Sequence, residues 1–226
     1  MQHDDIIKRL KALSNAEAVA GMAKYGITTG KTVYGVSIPN LRKIAGEIGP
    51  DHDLAQQLWK SDTRETQILA CMIDRPEMVT EKQMENWVEE LDNWEVCDQC
   101  CQNLFEKSKF AYHKAVEWSS NNKEFTKRAG FVLMARLAVS DKKADDMEFI
   151  NFLPIIKRES TDNRNYVKKA VNWALRQIGK RNHALNEMAI KTAREIQQID
   201  SRSARWVASD AIRELSSLAV QSKLKK

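Results

Sequence analysis

The sequence predicts an all-α protein, an α-α superhelix of stacked helix pairs, on three observations. Its 226 residues include only 8 glycines and 4 prolines, and most of the glycines precede residue 50, so helical periodicity runs on with few interruptions. Few segments alternate β-branched with polar residues, which leaves little from which to build a sheet. The third observation is internal repetition. FTKRAGFVLMARLA from Phe125, YVKKAVNWALRQIG from Tyr166 and VASDAIRELSSLAV from Val207 align at a constant step of 41 residues. Ala129, Ala170 and Ala211 coincide in this alignment, as do Leu133, Ala174 and Leu215. A step near forty with helical spacing inside it marks two-helix repeats that stack and bury one another's apolar faces.

Taken in order, MQHDDIIKRLKAL reads as an amphipathic helix within residues 1–15, because acidic residues come early and no apolar signal-peptide core follows. LAQQLWKSDTRETQILACMI and MENWVEELDNWEVCDQCCQNLF each fit a helix pair without keeping the 41-residue step. In the second, Asp92 or Asn93 can cap a helix from Trp94 to Phe105 that turns Cys97, Cys100 and Leu104 inward. The regular repeats follow, of a length typical of HEAT or armadillo units, with Val167, Ala170, Val171, Ala174 and Ile178 as the inward stripe of the middle one. ARWVASDAIREL packs through Val207, Ala211 and Leu215; residues 219–226 form a basic tail whose end, SKLKK, is expected to fray and be able to touch phosphate. We expect a single domain over residues 1–226 whose concave face is lined by one helix of each pair.

Lys and Arg total 36 against 31 Asp and Glu, a formal charge of +5 that permits an anionic partner. The acidic residues thicken in MENWVEELDNWE and the basic ones beyond Arg128, which suggests one basic surface. No apolar run is long enough to span a membrane, and a cytoplasmic monomer is expected. CDQC has the spacing of a zinc or redox motif. A closed zinc site needs four ligands, however, and the four histidines are scattered, so Cys97, Cys100 and Cys101 are read as core residues.

Two clusters can carry chemistry. Trp94 and Asp98 lie one helical turn apart at the margin of the inward stripe, so a ring and a carboxylate can meet one ligand, a pairing suited to a cation. Equally, Trp94 can be a core edge and Asp98 an ion-pair or capping partner. In YVKKAVNWALRQIGKRN, Lys169, Trp173, Arg176 and Lys180 fall opposite the apolar stripe. They form either a solvated face with Trp173 packed on a neighbour or a phosphate-binding face with an aromatic at its centre. Arg128 falls one repeat before Lys169, and Arg205 adds a cation near the C-terminus.

The succession YGVSIPNLRK, LAQQLWKSDTRET, WEVCD, KRAGF and VKKAVNWALRQIGKRN resembles the AlkD-like DNA alkylation repair family, the HEAT-like-repeat DNA glycosylases, from about Glu17 to Leu215. The resemblance implies removal of cationic N3- and N7-alkylpurines from double-stranded DNA held in a basic concave groove, with no metal or cofactor. By matching positions it implies that Asp98 is the catalytic carboxylate, Trp94 and Trp173 the two aromatics at the damaged nucleotide, and Arg128 the arginine on the adjoining backbone. Tyr25, in MAKYGI, is similar to a tyrosine near the lesion. Lys169, Arg176, Lys180 and Arg205 would add phosphate contacts. Three departures stand out: Asn93 takes a place where members can have a further tryptophan, the Asp98 to Arg128 interval is short, and the Arg128 to Trp173 interval is long. The alternative is a non-catalytic solenoid that recognises damaged or branched DNA.

Overall fold

The computed structural model describes residues 1–224; 225 and 226, the end of the expected basic tail, lie outside the described residues. The chain is all-helical. Its helices are α1 (His3–Ala12), α2 (Ala16–Met22), α3 (Ile38–Ile48), α4 (His52–Lys60), α5 (Arg64–Ile73), α6 (Glu81–Glu89), α7 (Trp94–Asn103), α8 (Ala111–Trp118), α9 (Glu124–Ser140), α10 (Asp146–Ile150), α11 (Phe152–Glu159), α12 (Asn165–Ile178), α13 (His183–Gln197), α14 (Arg202–Leu215) and α15 (Leu218–Gln221). They fall into two compact units, Met1–Lys109 and Phe110–Lys226.

In the first unit, short polar side chains start the helices. Asn15, Asp51, Thr63, Thr80 and Asn93 each accept a hydrogen bond from a backbone N–H in the turn that follows. The long connection between α2 and α3 forms only the short 3-10 turn Ala23–Tyr25 and is held by a buried ion network. The Glu65 carboxylate, fully buried, accepts from the backbone N–H groups of Tyr34, Gly35 and Val36. Arg64, 2 % exposed, donates to the Val36 carbonyl and to Glu65, and grips Glu95 of α7 through Nε and Nη2. Burial would depress the Arg64 guanidinium, but Glu95 and Glu65 outweigh it and raise its pKa. Gly35 is required here. Its φ is +76°, and a Cβ would stand 2.4 Å from the Asn15 carbonyl oxygen.

The second unit contains the repeat, as pairs α8/α9, α11/α12 and α13/α14, with α9, α12 and α14 packed side by side. Ala129, Ala170 and Ala211 are fully buried, and so are Leu133, Ala174 and Leu215, so the 41-residue step is a step of core positions. Phe125 and Tyr166 bring their rings within 5.6 Å across the α9–α12 seam. A second set of contacts recurs every 38 residues. Arg128 donates to the Tyr166 carbonyl, Lys168 lies over the Trp206 ring, Asn172 bonds Asp210, and Arg176 pairs with Glu214. The offset is three less than the repeat because each residue meets the one nearly a turn earlier in the next unit.

Arginines also fasten the turns. Arg181 donates to the carbonyls of Ala138 and Asp141 at 2.8 and 2.9 Å and covers the Phe149 ring at 4.0 Å. After α14 the described part of the tail is held down: Gln221 donates to the Leu215 carbonyl and to Asn186, and Leu224, within the SKLKK segment, is 9 % exposed. An amide group that caps carbonyls left open by α14 holds this segment down.

Candidate nucleic-acid interface

In the first unit, the candidate residues cluster around the start of α7. Asn93 caps it, accepting from the N–H groups of Glu95 and Val96 at 3.1 and 3.0 Å. Trp94 is the first helical residue and is half-buried; its Nε1 donates to the Tyr25 carbonyl at 3.1 Å. That carbonyl is presented by the 3-10 turn Ala23–Tyr25, which Gly26 closes in the left-handed conformation, φ 70°. Asp92 secures the same loop from the other side, accepting from Thr29 Oγ1 and from the Gly30 N–H. The indole is thus fixed at both ends of its support. Asp98 follows Trp94 by one turn and is half-buried. Cys97, Cys100 and Cys101 are fully buried on the inward side, where burial pushes the thiols of Cys100 and Cys101 up, as it does that of Cys71. The helix ends at Asn103, not Phe105, because Phe105–Lys107 tightens into a 3-10 turn.

Tyr25 is 75 % exposed, and its backbone carbonyl accepts the hydrogen bond from Trp94. Sequence reasoning missed Thr29 and Asp92, because a hydroxyl and a carboxylate 63 residues apart leave no local pattern.

In the second unit, Arg128 is 6 % exposed and Nη1 donates to the Tyr166 carbonyl at 2.7 Å. Trp173 is half-buried on α12 and Lys169 is exposed. The cationic face expected around Trp173 is corrected in one respect. Arg176 and Lys180 both pair with Glu214 of α14, and Arg176 also approaches Asp210 at 3.5 Å. Burial would lift the Glu214 carboxyl, but hydrogen bonds from Lys180 and Arg176 prevail and hold it below the usual range. Two of the three cations are therefore partly neutralised within the fold. Arg205 is exposed and pairs with Asp200 at 3.0 Å.

Helix pairs at a 41-residue step, with basic and aromatic residues on their second helices, define a HEAT-like repeat protein. A solved structure covering 100 % of this chain and 98 % of its own has the same fold, with a TM-score of 0.78 at 18 % identity. It represents a new family of proteins related to the HEAT-like repeat DNA glycosylases with affinity for branched DNA structures. The chain belongs to the DNA alkylation repair enzyme family, whose model matches residues 6–215. The uncharacterised protein Lin0241 of Listeria innocua serovar 6a is 22 % identical over 199 residues, 87 % of each chain. Among the described residues, no helix is long and apolar enough to cross a membrane.

Proposed function

We propose that the protein is a DNA glycosylase that releases cationic N3- and N7-alkylpurines from duplex DNA. The observation that carries this reading is the pairing, on the first turns of α7, of the carboxylate of Asp98 with a tryptophan whose ring is held by the Tyr25 carbonyl. Membership of the DNA alkylation repair enzyme family supports it.

The chemistry asks for these two groups. Alkylation at N3 or N7 leaves the purine positively charged and a good leaving group. When the N-glycosidic bond breaks, its electron pair neutralises the purine and the positive charge passes to the deoxyribose. A carboxylate fixed beside that sugar stabilises the charge where it develops, and water then adds to the sugar, losing its proton. An indole face attracts the cationic nucleotide, worth about 1–2 kcal/mol once partly desolvated. In this proposal Trp173 is the second aromatic and Arg128 contacts the backbone beside the lesion. Lys169 and Arg205 hold phosphates, with Arg176 and Lys180 supplying what Glu214 leaves of their charge. The protein acts as a cytoplasmic monomer without metal or cofactor.

A second reading, a binder of branched DNA without base excision, is favoured by the affinity described for the solved relative. Release of free N7-methylguanine and N3-methyladenine from methylated duplex DNA separates the two. The glycosylase reading expects release by the wild type and loss of it in Asp98→Asn, with DNA affinity kept. Binding without release by either protein would establish the second reading.

A further inference from the structure

Trp206 has no part in the mechanism above, yet it is 41 % exposed, an unusual amount of surface for a tryptophan in a repeat helix. It opens the row of α12–α14 contacts whose later members are Asn172 with Asp210 and Arg176 with Glu214. Here the contact is cationic: the Lys168 ammonium sits 4.9 Å from the ring centroid. That contact orients the indole, and 41 % of the residue's surface stays open to solvent.

The ring also belongs to a stripe along α14. Arg202, Trp206, Ser209 and Arg213 follow at helical spacing, and all four are exposed. Arg202 lies about 6 Å and Arg213 about 10 Å from Trp206 along the axis, on opposite sides of it. Lys168 lies over the ring, Arg202, Arg205 and Arg213 share α14 with it, Lys169 adjoins Lys168 on α12, and Asp200 and Asp210 are the nearest carboxylates in sequence. Asp210 is already shared among Asn172, Arg176 and Arg213, and Asp200 is fully exposed beside Arg205. The surface keeps a cationic surplus.

We propose that Trp206 is a stacking platform for an unpaired base of a DNA strand, with Arg202 and Arg213 on the phosphates to either side. Cations flanking an exposed ring are what single-stranded nucleic acid recognises, because every base has a π-face and every linkage a negative charge. A paired base inside a duplex has both faces occupied by its neighbours, so the ring selects a base freed at a flap, a branch or a strand end. The proposal rests on the DNA-binding reading and adds to it a site for the unpaired strand.

The test compares the full chain and its Trp206→Ala, Trp206→Phe and Arg202→Ala variants. Fluorescence anisotropy would measure their binding to a plain duplex and to the same duplex carrying an unpaired flap. Trp206→Ala is expected to weaken flap binding about tenfold and plain-duplex binding less than about twofold, while Trp206→Phe keeps most of the difference. Arg202→Ala should reduce the salt slope for the flapped DNA by about one. Equal loss on both DNAs, or no loss on either, overturns the platform while leaving DNA binding standing. Failure of the wild type to bind either DNA overturns the DNA-binding reading and the platform together.

Discussion

Gly130→Ala is the substitution whose consequence can be worked most directly from the geometry. Gly130 lies on α9 against the C-terminal end of α8. A Cβ placed there stands 2.7 Å from the Ser119 nitrogen and 3.0 Å from both the Ala115 carbonyl oxygen and the Trp118 carbonyl carbon. All three are backbone atoms, so no side chain can rotate out of the way and α8 itself has to retreat by several tenths of an ångström. Overpacking of this kind costs about 1–3 kcal/mol. Alanine returns about 1 kcal/mol through its better helix propensity. The expected net loss is about 0–2 kcal/mol, or a melting temperature lower by up to roughly 8 °C for a chain of this size. Gly46→Ala supplies the internal control. Gly46 lies within α3, and nothing is within 4 Å of its added Cβ, so the same chemical change should stabilise by about 0.5–1 kcal/mol. Urea and thermal unfolding of both variants measure the pair. If Gly130→Ala gained stability as Gly46→Ala does, the close approach of α8 to α9 would be wrong. The placement of Arg128, two residues earlier on α9, would fall with it.

Other perturbations follow from the ion networks. Arg64→Met should destabilise by about 3–5 kcal/mol, since it leaves the Glu65 carboxylate without its cation at a fully buried position; a change under about 1 kcal/mol would mean that the backbone N–H groups alone hold Glu65. Glu159, Asp162 and Glu214 are buried enough to be pushed up, yet Lys127, Arg164 and Lys180 with their neighbours hold all three carboxyls below the ordinary range. Depressed carboxyls bind fewer protons folded than unfolded, so their stabilisation is complete above about pH 4.5 and is lost as pH falls through the folded values. Urea midpoints should stay level on this account between about pH 6 and 5 and fall below 4.5, less steeply in Glu214→Gln; midpoints that rose on acidification would contradict it. For DNA binding through Arg128, Lys169, Arg202, Arg205 and Arg213, the plot of log K against log salt should have a slope of about −3 to −5, and a slope near −9 would mean that cations outside this set take part.

The repeat in the second unit was legible because it is written as identity of position: small or apolar residues recur every 41 residues, and each is buried. The first unit carries no such step. Its organising residue, Glu65, acts on the backbone of Tyr34, Gly35 and Val36, and backbone amides have no letter in the sequence. The support of Trp94 was hidden for the same reason, since Tyr25 contributes a carbonyl from 69 residues away. Periodicity placed the α7 cysteines inward and set Trp94 and Asp98 at the margin of that face, because helical spacing alone decides which side a residue faces.

What periodicity could not decide was which cations belong to the fold and which to a ligand. A helical wheel sets Lys169, Arg176 and Lys180 on one flank of α12 as equals, but the next helix distinguishes them. Asp210 and Glu214 on α14 meet positions 172, 176 and 180, so Arg176 and Lys180 are ion-paired, while Lys169 stands outside that row. The same division runs through the second unit. Lys127 is held by Glu159 and Asp162, Arg164 by Asp162 and the Asn122 carbonyl, and Arg181 by the carbonyls that end α9. These pairs take carboxylates as well as cations out of play, so the formal surplus of +5 stays with side chains outside them, such as the exposed Lys169 and Arg202. On the DNA-binding reading, the phosphate contacts fall to those exposed side chains more than to Arg176 and Lys180. In the proposed reading, the aromatic faces that add to them are Trp94 on α7, Trp173 on α12 and Trp206 on α14.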